Sequence, residues 1–378
     1  TNGAFGANFP QNIKTMKKIL SLFVFMLFFV FAVQAAVYEG MCGSTLSWSL
    51  DTESGLLSFS GSGSMSYSGN APWYEYRTSV MKVSLPEGVT SIKSSAFYGC
   101  SKLKEIEFPN SVTSVESSVL SNCTSLRKVT FGDNVTSIGS SALYNCTSLR
   151  KVTFGKNLTS VGSNALRNCS ALDTIVWNVK TYNIPNSSNT PFNASYVSVY
   201  SQIKSFTFGP DVETIPAYLC RYMRNINTPI VIPESVKSIG TEAFYSCTSV
   251  PSLTLNKTIK SYTDQFASCS GLTKVYYTGS IEDWCGISFS SSTSNPLYYA
   301  KNLYIDNTLA TEITIPSTVK SIGKYQFYNA SCLTKVTLPS TLATINSSAF
   351  CAIRISRLSP KQLTKGLTMQ GYTIVSGT

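Results

Sequence analysis

The chain has 378 residues, with 30 Lys and Arg against 19 Asp and Glu and a formal charge of +11; 43% of it is hydrophobic and only 13% charged. It contains no histidine, which excludes Ser-His-Asp and Cys-His catalysis and the usual zinc sites. Few charges with many Ser and Thr is a composition common in extracellular β-rich proteins and unusual in a cytosolic enzyme.

The first expected element is a secretory signal. MKKILSLFVFMLFFVFAVQAA starts at Met16, with Lys17 and Lys18 ahead of an uninterrupted apolar run over residues 19–33. Small residues follow, and Val33 and Ala35 suit the −3 and −1 cleavage positions. The run is short for a membrane span, which needs about 20 residues. Residues 16–35 are therefore expected to be removed, and residues 1–15 read as upstream translated sequence. No membrane span is expected after cleavage, since no second long apolar segment appears. Cys42 is in no lipid-attachment context, and LPSTL at 338–342 is followed by no hydrophobic tail, so it is not a wall-sorting signal.

Loss of Lys14, Lys17 and Lys18 leaves +8. Arg354, Arg357, Lys361 and Lys365 hold half of that in an acid-free tail, so the body carries about +4. This is a poor basis for nucleic-acid binding, which calls for a basic stripe.

Residues 36–81 read as a β-rich N-terminal cap. LSWSLDTESGLLSFSGSG alternates Leu46, Trp48 and Leu50, then Leu57 and Phe59, around a turn at residues 51–55, the pattern of a hairpin. Pro72, Trp73 and Tyr74 add large apolar surface just before the repeats. Gly61-Ser62-Gly63-Ser64 has neither the lysine nor the following helix of a phosphate loop, and reads as a turn.

Residues 82–350 repeat. NCTSLRKVTFG occurs at 122–132 and again, unchanged, at 145–155. Four tandem copies fill residues 82–173, and the theme returns at 230–250, 312–334 and 335–350. A period in this range marks stacked coils. Within residues 128–150, Val129 and Phe131 alternate with Lys128 and Thr130 as in a short strand buried on one side. Gly132, Asp133 and Asn134 signal a turn, and Val135 and Ile138 form a second apolar pair. Ala142, Cys146 and Leu149 fall on one face of an expected short helical turn, with Ser140 or Ser141 at its start. About eight apolar positions thus point one way, and a unit can cover them only by stacking on its neighbours.

The first buried strand position recurs at Val83, Ile106, Val129, Val152, Ile175, Phe206, Ile230, Leu253, Val275, Ile313 and Val336. That predicts a solenoid of eleven coils of about 23 residues, a parallel ladder roughly 50 Å long. Two steps are long, which places insertions at 178–203 and 277–310, expected as loops on one face. After Phe350 the pattern breaks, and residues 351–378 are expected to form an irregular basic tail.

Cys100, Cys123, Cys146, Cys169, Cys247 and Cys269 share one slot, six residues ahead of a strand. Ala330 fills the same slot, so size and apolarity, not sulfur, are expected to matter there. Stacked neighbours have parallel Cβ vectors, a poor geometry for a disulfide. Cys42, Cys220, Cys285, Cys332 and Cys351 lie outside the series and leave one or two disulfides open in an exported protein. The sequons at Asn122 and Asn145 overlap the slot and read as by-products of the repeat. Glu105 and Glu107 lie on one strand face about 7 Å apart, without a pocket. Glu282, Asp283 and Trp284 form an acidic-aromatic cluster whose Trp284 is expected to pack on the ladder. No catalytic residue, cofactor or metal site is expected.

The string V-T-S-I-G-x-x-A-F-x-x-C-x-S-L-x-x-V-x-[FL], visible at 236–253 with Lys237, Val250 and Leu253 as departures, resembles the BspA-like leucine-rich repeat family. The resemblance covers about 82–350. CGSTLSWSLD, APWYEYR and the insertion YYTGSIEDW…NPLYYAKNLYI also look like parts that recur in this family. It implies a leucine-rich-repeat solenoid with a curved ladder and an exported, cell-surface or secreted protein, some members being associated with adhesion to host matrix, host cells or other microbes. It carries no catalytic motif.

A regular outward row follows from the repeat: Glu107, Thr130, Thr153, Val176, Thr207, Val231, Thr254, Tyr276, Tyr304, Thr314 and Thr337, edged by Lys82, Lys128, Lys151, Lys274 and Lys335. The expected function is binding of an extracellular protein or glycan on this row. The alternative is a passive surface scaffold without a specific ligand.

Overall fold

The computed structural model describes residues 36–184, 191–192, 199–353, 357–358 and 368–369. The expected signal peptide and upstream segment lie outside the described residues, as do residues 185–190 and 193–198 of the first insertion and most of the tail.

The chain winds into a β-solenoid of about twelve coils with few helices. Its N-terminal end is closed by a small sheet. Leu46–Asp51 and Leu56–Gly61 form the expected hairpin, with Trp48 opposite Phe59 and Leu50 opposite Leu57. Asp51 fixes the turn by accepting the Glu53 N–H at 2.9 Å. Val37–Met41 adds an antiparallel strand on the outer side. The inner strand of the hairpin then pairs in parallel with Lys82–Ser84, Leu57 lying beside Val83. The cap is thus the template for the first coil. Trp73 is fully buried beneath it, stacked or edge-on to Trp48, Phe59, Tyr67 and Phe97. Its indole N–H donates to Ala96 O at 2.7 Å, so the ring carries no unpaired donor.

Each coil contributes to two parallel ladders. The broad ladder uses strands such as Glu105–Glu107, Lys128–Thr130, Lys151–Phe154, Thr174–Trp177 and Ser205–Phe208, all in register. The narrow ladder uses two-residue strands such as Ser114–Val115, Ser137–Ile138 and Ser160–Val161. Inside residues 128–150, Val129, Phe131, Val135, Ile138, Ala142, Leu143, Cys146 and Leu149 are all buried. Phe108, Phe131 and Phe154 stack ring on ring, at 5.3 and 5.9 Å between centroids.

The expected short helix in each repeat is a run of turns instead. Ser141 and Asn145 take left-handed φ values of 56° and 60°, as do Ser118 and Asn122 one coil earlier. Two such residues four apart prevent a helix. They also turn alternate N–H groups toward the next coil: Ser118 to Ser140 O, Leu120 to Ala142 O and Asn122 to Tyr144 O, at 2.7–3.0 Å. This third set of bonds recurs through Ser141, Leu143 and Asn145 and satisfies backbone that a one-turn helix would leave unpaired.

The first long step leaves the broad ladder unbroken; the second ends in an antiparallel strand, Thr308–Leu309, and a new sheet begins at Glu312–Thr314. The first insertion leaves after Trp177 and returns with Thr174 beside Ser205 and Trp177 beside Phe208. It sends Phe192 into the core, about 6 Å from Phe154, Trp177 and Phe206. The second, expected as a loop, is an oversized coil. Ser288–Phe289 pairs with Ser261–Tyr262, and Leu303–Ile305 pairs with the strand before it, Leu303 beside Val275. Leu303 is a rung that the repeat count leaves out. A short helix, Ile281–Cys285, is opened by a reciprocal cap between Ser280 and Asp283. It buries Trp284, whose indole N–H donates to Gln326 O at 3.0 Å. Pairing also reaches past Phe350: Arg357–Leu358 lies beside Lys335–Val336, and Thr368–Met369 beside Thr344–Ile345. An irregular tail is expected there from the side-chain pattern. Backbone pairing does not need that pattern.

The tightest stacking falls at Gly155, where an added Cβ would lie 2.1 Å from Gly132 O. Gly155→Ala is expected to cost roughly 1–3 kcal/mol through forced separation of two rungs, read as a lowered unfolding midpoint in a denaturant titration.

Candidate binding face

Register gathers the expected outward residues into three rows. Glu107, Thr130, Thr153, Val176 and Thr207 are successive partners across five strands. Val231, Thr254, Tyr276 and Tyr304 form the second row, and Thr314 and Thr337 the third. All are half-buried or exposed. The cap adds a row that the repeat could not reveal, with Glu39, Ser49, Ser58 and Ser84 as successive partners. Its signal is the alternation of small hydroxyl residues with apolar ones in LSWSLD and LLSFSG.

The hydroxyls of the two ladders differ in state. On the narrow-ladder side, Thr113, Thr136 and Thr159 each donate to the carbonyl of the threonine one coil back, at 2.9–3.1 Å. On the broad-ladder face, the hydroxyls of Thr130, Thr153, Thr254, Thr314 and Thr337 have no side-chain hydrogen bond among the described residues, while Thr207 has one of 3.5 Å to Ile175 O. The free hydroxyls keep their donors and acceptors for solvent or a ligand.

Tyr276 and Tyr304 lie one rung apart with ring centroids at 4.7 Å, and the Lys274 ammonium sits 6.0 Å from the Tyr304 ring. Two half-exposed rings beside a cation supply rigid contact area at small entropic cost. On another side, Lys156 pairs with Asp133 and Asp211 at 3.4 and 2.8 Å, and Glu213 with Lys180 and Lys237 at 3.0 and 2.9 Å. Lys156, Lys180, Lys237, Asp211 and Glu213 line an open groove of about 430 Å³. Its charges are mutually satisfied, so it is a strap across the first long step.

The acidic candidates have structural work. Asp283 caps its helix and pairs with Lys260 at 3.2 Å, and the Ser280 hydrogen bonds hold its carboxyl below the ordinary range. Glu105 and Glu107 are exposed on the first rung of the row, beside Lys128 and Thr130. Among the described residues no group of three or more His, Cys, Asp or Glu is placed to hold a metal.

All eleven cysteines are free, and the slot residues Cys100, Cys123, Cys146, Cys169, Cys247 and Cys269 are buried. The slot has chemistry as well as size. Cys123, Cys146, Cys169, Cys247 and Cys269 each donate an S–H to a carbonyl of the coil before, at 3.1–3.2 Å. The sequon amide of Asn145 donates to Asn122 Oδ1 at 2.7 Å, which ties both side chains into the stack. Burial pushes Cys100 and Cys269 up to about 12, and Cys123, Cys220 and Cys247 well above the ordinary value of 9.0. For Cys146 the hydrogen bond with Cys169 acts first and burial second.

The family profile described as BspA-type leucine-rich repeat region matches residues 72–195, 193–309 and 299–366, in six copies. Among solved structures, a leucine-rich repeat protein from Eubacterium ventriosum is 21% identical over 89% of this chain and 97% of its own, with a TM-score of 0.34. One from Bacteroides ovatus is 18% identical over 86% and 92%, with a TM-score of 0.33. A leucine-rich cell surface protein from Faecalibacterium prausnitzii is 20% identical over 89% and 99%, with a TM-score of 0.28. No match was found among curated proteins.

Two outcomes test the thiol slot. A thiol reagent such as dithionitrobenzoate is expected to leave the buried cysteines of the native chain unreacted and to titrate all eleven after denaturation. Folded thiols also keep their protons to higher pH than unfolded ones. The stability they carry is therefore complete below the ordinary value of 9.0 and is lost as pH rises toward their folded values. Denaturant midpoints are expected to fall above that pH, by up to about 1.4 kcal/mol per pH unit per thiol. The slope should be shallower in Cys123→Ala.

Proposed function

The chain belongs to the BspA-type leucine-rich repeat family, and we propose that it is an exported surface protein that holds a protein or glycan ligand on the outward face of its broad ladder. The observation that carries this reading is the set of unpaired threonine hydroxyls on that face, with Thr130 beside Thr153 in one row and Thr254 beside the Tyr276–Tyr304 pair in the next. Small side chains keep the face flat, so a partner can approach many rungs at once. The tyrosines give it the rigid aromatic contacts that concentrate binding energy. Export is supported by the apolar run at 19–33 behind Lys17 and Lys18. No helix among the described residues is long and apolar enough to cross a membrane. A non-enzymatic role is supported by the lack of histidine and by the use of Asp283 in a cap.

Residues 36–378 titrated against immobilised matrix proteins and a glycan array should bind one class saturably. Tyr276→Ala with Tyr304→Ala should weaken that binding at least tenfold, about 1.4 kcal/mol. Absence of saturable binding to either class would sink the proposal in favour of a passive scaffold.

A further inference from the structure

The rim of the broad ladder changes character over three adjacent coils. Lys104, Arg127 and Arg150 each precede a broad strand. Backbone bonds from Arg127 N to Lys104 O at 2.7 Å and from Arg150 N to Arg127 O at 2.9 Å stack them in one column. One residue further on, Lys128 and Lys151 are register partners. All five side chains are exposed. Adjacent rungs are about 4.8 Å apart, so the cations form a strip two residues wide along the solenoid axis.

Like charges directly opposite one another in a ladder repel. At the same strand position an acid stands beside a cation twice, although Lys335 also has Arg357 as a register partner. Lys128 has Glu105 as its other partner, and Lys335 has Glu312, with an ion pair of 2.9 Å. Between Lys128 and Lys151, and between Arg127 and Arg150, no acid intervenes. Among the described residues, the only ion pair made by the five cations is that of Arg150 with Asp173, at 3.9 Å. The strip is bounded by Glu105 and Glu107 at one end and by Asp173 at the other.

A protein partner concentrates its binding on aromatic anchors in desolvated pockets, and the strip offers none. Beside the cations lie the unpaired hydroxyls of Thr130 and Thr153. Repeating cations next to repeating hydroxyls match a linear chain that carries both anionic groups and hydroxyls. We propose that Lys104, Arg127, Lys128, Arg150 and Lys151 form a docking track for a linear anionic glycan, sulfated or carboxylated, laid along the ladder axis. This rests on the broad-ladder face being a binding surface and names the ligand chemistry at one end of it.

The test uses residues 36–378 with four probes: dextran sulfate, carboxymethyl dextran, uncharged dextran and poly-L-glutamate. Saturable binding is expected for one or both charged dextrans and not for the uncharged one, and which charged dextran binds tells sulfate from carboxylate recognition. Lys128→Ser with Lys151→Ser should weaken that binding at least tenfold and make the salt dependence shallower, because fewer counterions are released. Lys257→Ser with Lys320→Ser, which removes the same charge elsewhere, should change it less than twofold. The melting temperature of the Lys128/Lys151 variant at low salt should hold or rise, since repulsion is removed; a fall would mark the two lysines as structural and overturn the assignment. Equal losses in both double variants, or poly-L-glutamate binding as tightly as the charged dextrans, would also overturn it. If the charged dextrans fail while a ligand still binds through Tyr276 and Tyr304, the track is wrong and the broader reading stands. If no ligand of any class binds, both fall.

Discussion

The structure depends on hydrogen bonding between successive coils in strict register. Three stretches of each coil take part: the broad strand, the narrow strand and the run of turns. A parallel stack of this kind fixes the rise per coil at about one strand spacing, and everything else must accept it. Phenylalanines stack on phenylalanines, thiols donate to the carbonyl one coil back, and glycine stands where two backbones nearly touch. Left-handed turn residues follow from the same constraint. Gly and Asn tolerate positive φ better than most residues, and Gly99, Asn122 and Asn145 occupy such positions, together with Ser118 and Ser141. Tyr218 and Tyr222 take them too, at φ 62° and 64°, with Arg221 held over their rings and paired with Glu242.

A repeating stack has two open ends, and an uncovered end would expose core and unpaired strand edges. At the N-terminal end the hairpin supplies both needs. Its inner strand pairs with the first coil, and Trp48, Phe59 and Trp73 close the core. The oversized coil is secured differently. Trp284, Asn295 and Gln326 exchange hydrogen bonds that join residues more than 30 positions apart, so an extra length of chain stays docked on the coil that follows it. The first long step keeps its outward row aligned, Val176 lying beside Thr207, whereas after the second the row ends at Tyr304 and a separate sheet starts with Thr314.

Register also gives the surface its meaning. A side chain outside a solenoid acts as a member of a column, and columns of one residue type produce properties that single residues lack. Threonines on the narrow side spend their hydroxyls on the backbone of the coil before, while those on the broad side, Thr207 apart, do not. The same residue type is structural in one column and available in the other, and only strand geometry separates the two. Lys128 and Lys151 illustrate the point for charge: alone, each is an ordinary solvated lysine, whereas as partners they create a local field.

The amino-acid sequence alone determined the period, the buried positions of each coil apart from Val83, which is half-buried on the first rung, the cap hairpin with its turn at 51–55, and the outward set from Glu107 to Thr337. These follow from hydrophobic alternation and repetition, which report burial directly. The tertiary structure alone decided what the backbone does between those positions. It replaced the expected helix with left-handed turns, because the N–H groups there find better partners in the neighbouring coil than in their own. It made a rung of Leu303, brought Phe192 inward, and carried pairing on to residues 357–358 and 368–369. It extended the outward surface through Ser49, Ser58 and Ser84, and gave the thiols their acceptors. All of these rest on main-chain hydrogen bonds or on contacts between distant residues. Backbone donors and acceptors are the same in every residue but proline, so no side-chain pattern can announce where they will pair.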